Sequence, residues 1–149
     1  MIYQTQPEDF VAEFEIALCI CKFGDKILML KRAEKDTFAG QWCFPGGTIH
    51  INEMPEQTVV REIKEETGID LSQQEHIFVF QSFVKYPDYE FVEHVYRADF
   101  NVLPKVVVNK NEHQDFQWVR IDSLKKLQLL PNVLETLTLA LKHEDPQTS

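Results

Sequence analysis

Three glutamates, Glu62, Glu65 and Glu66, stand at i, i+3 and i+4 within Arg61-Glu62-Ile63-Lys64-Glu65-Glu66. On a helix that turns about 100° per residue they share an arc of about 100°, where like charges at these spacings repel one another. Such a face becomes favourable when a hard divalent cation neutralises it, because Mg²⁺ takes oxygen ligands and shares its coordination with phosphates. An acidic helix turned to solvent is spelled the same way, so the trio alone leaves both readings open. Ahead of it, Phe44-Pro45-Gly46-Gly47 interrupts regular structure, and two adjacent glycines let backbone carbonyls and amides reach a ligand. Glu53 follows near the start of the same helix. Arg61, one turn before Glu65, is placed to hold carboxylates in a fixed orientation through paired N–H bonds.

These groups need a frame. Residues 14–21 form an apolar run rich in Ile, Leu and Cys that reads as a buried strand. Lys22-Phe23-Gly24-Asp25 is a turn signal between it and Lys26–Arg32, which suggests a hairpin. Residues 54–67 carry the strongest helix signal: Pro55 in the first turn, Glu56 where the dipole favours an acid, Gly68 as a stop. Its Val59, Val60 and Ile63 recur at helical spacing and face the core. Residues 76–85 and 89–100, separated by Tyr86-Pro87-Asp88, predict a second hairpin. A short strand over 115–121 follows, then a short helix capped by Asp122 or Ser123 with Leu124 and Leu127 inside. An amphipathic helix over 131–142 closes the pattern. Strands with interspersed helices predict a layered α/β or α+β domain.

Composition sets the bounds. The 149 residues are 44% hydrophobic and 26% charged, ordinary globular usage, with no repeat and no linker that divides the chain. One domain over 1–149 is expected, with residues 1–9 and 143–149 as loose ends. The balance of 15 Lys+Arg against 24 Asp+Glu gives a net charge of −9, which disfavours long nucleic acid and anionic membranes as partners. Cys19, Cys21 and Cys43 lack metal or redox spacing and read as buried thiols in a reducing compartment. No secretory leader and no apolar run of about 18 residues is visible, so a soluble, cytoplasmic protein is expected.

The segment 47–69 resembles the signature of the Nudix hydrolases, G-x5-E-x7-R-E-U-x-E-E-x-G-U, with U aliphatic. Gly47, Glu53, Arg61, Glu62, Ile63, Glu65, Glu66, Gly68 and Ile69 fill its fixed positions. The resemblance implies an α/β/α sandwich with a mixed sheet between helices. It implies hydrolysis of a nucleoside diphosphate linked to another group, with Mg²⁺ or Mn²⁺ and an activated water. Glu62, Glu65 and Glu66 are then metal ligands, joined by the Gly46 carbonyl; Glu53 helps position the water and Arg61 orients the glutamates.

Outside the signature the chain looks like the MutT-type diphosphatases of nucleoside triphosphates, including oxidised ones such as 8-oxo-dGTP. Arg32 falls where that branch places a phosphate-contacting arginine; a solvated strand end is the other reading. Glu112, six residues before Trp118, matches a further catalytic glutamate on a loop, as general base or metal ligand. Asn132 after Pro131 matches an asparagine that reads the purine edge, though Asn is also a common helix cap. Phe44 and Phe83 are candidate walls of a base pocket or simply core aromatics. His50 and Asn52 replace the acid and glycine common in relatives, and Asn tolerates left-handed backbone. The expected partner is a nucleotide, for a monomer or homodimer. Other readings are hydrolysis of dinucleoside polyphosphates, ADP-ribose or nucleotide sugars, or a non-catalytic nucleotide-binding module.

Overall fold

In the computed structural model, which describes residues 1–35 and 38–142, strand alternation decides which side chains meet which helix. Among these residues run strands β1 (Ile2–Tyr3), β2 (Phe14–Phe23), β3 (Lys26–Arg32), β4 (Trp42–Cys43) and β5 (Gly46–Thr48). They continue as β6 (Ile77–Lys85), β7 (Glu90–Phe100) and β8 (His113–Arg120). The helices are α1 (Pro55–Thr67) and α2 (Val133–Lys142), with 3₁₀ turns at Leu71–Gln73 and Ile121–Lys126. All strands join one sheet, ordered β1-β6-β7-β2-β3-β4, with β5 beside β2 and β8 beside β3. The sheet is mixed, because β2 and β7 run parallel from the Phe14–Phe91 pair to the Phe23–Phe100 pair.

Ala17, Cys19 and Cys21 of β2 pack with Val59 and Ile63 of α1 in one buried cluster. The alternate residues Leu18 and Ile20 pack with Val133, Leu137 and Ala140 of α2 on the opposite face. The sheet therefore lies between two helices, as the resemblance implies. The cysteines are buried free thiols. Helix α1 starts where Gln57 accepts the Met54 N–H at 2.7 Å, and ends at Gly68, whose φ of 80° only glycine adopts readily. Asn52, at φ 67°, takes the left-handed turn its position requires. Among the described residues no helix is long and apolar enough to cross a membrane.

Three features depart from expectation. The hairpin of β2 and β3 pairs only at its tip, Lys22–Ile27 and Phe23–Lys26. Beyond the tip the strands part: β3 turns to β8 and β4, while β5 occupies the edge of β2 at Ile16–Leu18. The N-terminus is tied down rather than loose. The Met1 amino group donates to the Lys85 carbonyl at 3.0 Å, Ile2 pairs with Val84, and Ile2 is buried with Val84 and Phe91. So few apolar residues carry no periodic signal, and an edge strand is stabilised by the neighbour it covers. The last helix begins at Val133 rather than Pro131, and the expected loose tail 143–149 lies outside the described residues.

Strand β5 lies so near β2 that a Cβ on Gly46 would stand 2.5 Å from the Ala17 carbonyl oxygen and 2.7 Å from Leu18 Cα. Backbone cannot yield as a side chain does. Gly46→Ala is expected to destabilise the fold by about 1–3 kcal/mol, the usual cost of overpacking, visible as a lower urea midpoint. An unchanged midpoint would refute this close approach.

Candidate active site

Helix α1 presents its glutamates to β5 because Val59 and Ile63 anchor the neighbouring face to the core. Glu66, only 4% exposed, accepts the Gly46 N–H on Oε1 at 2.7 Å. The contact the structure shows at Gly46 is therefore made by its N–H. Glu62 lies against Gly47 so closely that a Cβ there would come within 2.4 Å of its carboxyl carbon. The two glycines make the niche in which two carboxylates can sit beside the backbone.

Arg61 holds this arrangement. Its Nε and Nη2 donate to Glu53 Oε2 and Oε1 at 2.8 and 2.9 Å, a two-pronged clasp, and Nη1 donates to Glu62 Oε1 at 2.7 Å. Nη2 also donates to the Thr48 carbonyl at 3.2 Å, which ties the helix to β5. Glu65 Oε2 lies 3.6 Å from Nη1, at the more exposed rim of the same face. Glu53 further accepts from Thr58 Oγ1 at 2.6 Å and from the His50 N–H at 3.1 Å. The bonds from Arg61, then Thr58, hold the Glu53 carboxyl well below the usual carboxylate range, and Glu53 in return raises the Arg61 guanidinium. Both Glu53 oxygens are engaged, so the residue anchors Arg61.

A cleft of about 460 Å³ opens beside Glu62 and Glu66. Glu112, on the turn before β8, and His113, the first residue of β8, close its acidic end. Ligand atoms of Glu66, Glu112 and His113 lie within 4.8 Å of one another, with His113 Nε2 3.6 Å from Glu66 Oε2. Burial pushes the Glu62 and Glu66 carboxyls up, although Arg61 and the Gly46 N–H respectively oppose it; repulsion from Glu65 and Glu112 adds to the rise at Glu62, and from Glu62 and Glu112 at Glu66. Carboxylates packed against each other, with an imidazole at the same point, fit a divalent cation. Glu66, Glu112 and His113 could hold it together, with Glu62 beside them in the same cleft.

The other end of the cleft is aromatic. Phe14 and Phe91 stack with centroids 5.1 Å apart, and Tyr86 meets Phe91 and Phe38 edge-on. Tyr89 and Phe44 line the same end, as do Asn132 and Glu93. Arg32, at the end of β3, lines the cleft too; its charge acts on Glu66 on one side and on Tyr86 and Tyr89 on the other.

Of the expected site residues, Arg32, Phe44, Gly46, Glu62, Glu66, Glu112 and Asn132 meet at this cleft. Glu53, Arg61 and Glu65 lie behind or beside it. Phe83 does not join it: alternation turns Ser82 toward Glu93 and Phe83 to the opposite face, where its ring meets Phe10 edge-on at 5.3 Å. His50 is exposed and takes part through its backbone. Sequence reasoning missed His113, Tyr86, Tyr89 and Glu93. A faint signal existed for Glu93, an acid at a core-facing position between Phe91 and Val95; Tyr86 and Tyr89 stand where some branches of the family carry a diagnostic Tyr or Pro, but their segment reads as a hairpin turn.

A buried carboxyl whose pKa is raised in the folded state opposes folding once ionised. The cost is absent below the ordinary Glu range and grows as pH rises through the folded value. Metal-free Glu66→Gln is therefore expected to melt about 2–8 °C above wild type at neutral pH, as ~1–2 kcal/mol gives in a domain of this size. The gap should close as pH falls toward the ordinary Glu range; a gap that is constant with pH would refute the buried ionised state.

Residues 14–139 match the family model described as NUDIX domain. The chain is 31% identical over 134 residues to a nucleoside triphosphatase, NudI, of Escherichia fergusonii, covering 85% of this chain and 87% of that one. It is 43% identical over 54 residues to an 8-oxo-dGTP diphosphatase of Proteus vulgaris, covering 36% of this chain; the match spans about half (48%) of that relative's length. In fold it resembles the NUDIX domain of Shewanella oneidensis NrtR complexed with ADP ribose, with TM-score 0.78 at 19% identity, covering 95% and 94% of the two chains. It also resembles a MutT protein from Methanosarcina mazei Go1, with TM-score 0.73 at 22% identity, covering 89% and 96%. A family match across most of the length, with the signature residues Gly47, Glu62 and Glu66 lining one cleft, gives the conclusion that the chain belongs to the Nudix hydrolase family.

Proposed function

We propose that the protein hydrolyses a nucleoside triphosphate to a monophosphate and pyrophosphate, using Mg²⁺ or Mn²⁺. The observation that carries this reading is the division of one cleft into an acidic end and an aromatic end, with the Arg32 cation acting on both. A nucleoside triphosphate has the matching halves: a flat base that stacks on aromatic rings and a polyphosphate that needs positive charge. The names of the Proteus and Escherichia relatives, an 8-oxo-dGTP diphosphatase and a nucleoside triphosphatase, support the same class.

A divalent ion bound at the glutamates would neutralise polyphosphate charge and ease deprotonation of water. The chain's own residues do the rest. Arg61, clasped by Glu53, holds Glu62 in one orientation, so the acidic end needs no rearrangement when substrate arrives. Arg32 contacts a phosphate. Phe14, Phe44, Tyr86, Tyr89 and Phe91 enclose the base and exclude water from it. Glu112 is exposed on its turn and placed to accept a proton from the attacking water.

The test is turnover with Mg²⁺ or Mn²⁺ of a panel: the common and 8-oxo nucleoside triphosphates, a dinucleoside tetraphosphate, ADP-ribose and a nucleotide sugar. Monophosphate plus pyrophosphate from a triphosphate is the expected outcome. Products confined to ADP-ribose or dinucleotide cleavage would move the reading to that class, and nucleotide binding without turnover would make the protein a binding module. Glu62→Gln and Glu66→Gln should each lower kcat by about 10²-fold or more, as loss of transition-state charge stabilisation does. Near-wild-type rates in both variants would sink the metal assignment.

A further inference from the structure

Beneath the aromatic end of the cleft lies a carboxylate that no cation accompanies in its hydrogen-bonded set. Glu93, on β7, has no solvent exposure. Among the described residues its donors are neutral: Ser82 Oγ and Thr136 Oγ1 give to Oε1 at 3.0 and 2.7 Å, and Asn132 Nδ2 gives to Oε2 at 3.1 Å. Ser82 comes from β6, Thr136 from α2 and Asn132 from the residue before α2, so the group is built by three separate elements.

Both oxygens of Glu93 accept, and the Asn132 amide turns its Nδ2 toward Oε2. Its carbonyl oxygen then faces the other way, where the Tyr86 hydroxyl donates to Oδ1 at 2.6 Å. An asparagine amide in general can present either end to a ligand. Here Glu93 and Thr136 on one side and the Tyr86 hydroxyl on the other hold it in one orientation. Asn132 Oδ1 keeps a second lone pair and the Tyr86 oxygen keeps its own, and both residues line the cleft. What Asn132 and Tyr86 leave open to a base are acceptors, since the Asn132 N–H groups and the Tyr86 O–H are engaged.

We infer that Glu93 is a positioning residue that sets base selection: by fixing the Asn132 amide it makes this end of the cleft accept N–H donors and reject lone pairs. The inference rests on the nucleotide reading of the cleft given above. Among ordinary purines, guanine presents two adjacent donors, N1–H and the 2-amino group, on one edge. Hypoxanthine presents N1–H alone, and adenine places a lone pair at N1. The order of preference follows as guanine, hypoxanthine, adenine.

The experiment uses the metal-free protein and the monophosphates GMP, IMP and AMP, titrated by calorimetry, so that neither catalysis nor metal enters the readout. Wild type should bind GMP more tightly than AMP by about tenfold or more, with IMP between, as one to two hydrogen bonds give. In Glu93→Gln the isosteric amide lets Asn132 turn either way, and the GMP-to-AMP ratio should fall by about tenfold. Tyr86→Phe leaves the carboxylate in place and should keep the preference even where all three ligands bind more weakly. This variant decides the matter if Glu93→Gln does not fold. Equal binding of GMP and AMP by wild type, no binding of any of the three, an unchanged ratio in Glu93→Gln, or a lost ratio in Tyr86→Phe would each overturn the inference. If no triphosphate is hydrolysed while the GMP preference persists, the proposed reaction fails and this inference stands.

Discussion

Carboxylates crowd together at the junction of α1 and β5, and the rest of the structure is arranged around making that tolerable. Glu66 is nearly buried, Glu62 is half-buried against a glycine, and Glu112 approaches from the turn before β8. Burial works against the charge of the first two. Two backbone features and one cation hold them instead: the Gly46 N–H, the absence of a side chain at Gly47, and the Arg61 guanidinium. Clustered carboxylates in such a niche could hold a small multivalent cation, since a compact charge reaches several of these oxygens together.

The irregular course of the chain serves the same place. If β2 and β3 paired along their full length, no edge would remain for β5, and the glycines could not come under α1. The strands part after the tip, β5 takes the edge of β2, and β3 carries Arg32 toward the turn that bears Glu112. The parallel pairing of β2 with β7 then sets Phe14 beside Phe91 at the far end of the cleft. The acidic and aromatic groups thus come from segments remote in sequence yet share one opening. Arg61 and Glu53 rigidify one end, and the Glu93–Asn132–Tyr86 chain rigidifies the other. Preorganisation at both ends lowers the entropy lost when an extended ligand is bound.

Acidity acquires a different meaning at each scale. A net charge of −9 repels long polyanions at a distance set by screening, about 8 Å at physiological salt. Under the proposed reading, a cation held in the cleft together with Arg32 would reverse the local sign and admit a short polyphosphate, while the surface at large still repels a nucleic-acid backbone.

The glutamate helix of the acidic end was legible in the residues alone because it and its preceding turn lie on one continuous stretch. From Gly46 to Gly68 the spacing states both the helix and the face that carries the acids, and local geometry needs no distant partner. The same holds for α1 itself, the long strands and the second hairpin, each written in periodicity and turn residues. The tethered N-terminus, the splayed hairpin and the placing of β5 were not legible. They depend on which edge remains open after other strands have paired. Phe83 and Phe44 look alike as sequence, and only the register of β6 sends one away from the cleft while the other lines it. His113, Tyr86, Tyr89 and Glu93 became site residues for the same reason: their neighbours there lie tens of residues away along the chain. What the sequence by itself determined was the chemistry that a continuous helix and its preceding turn can display. Tertiary structure decided what that chemistry faces, because long-range pairing and burial set both the shape of the cleft and the charge state of the groups inside it.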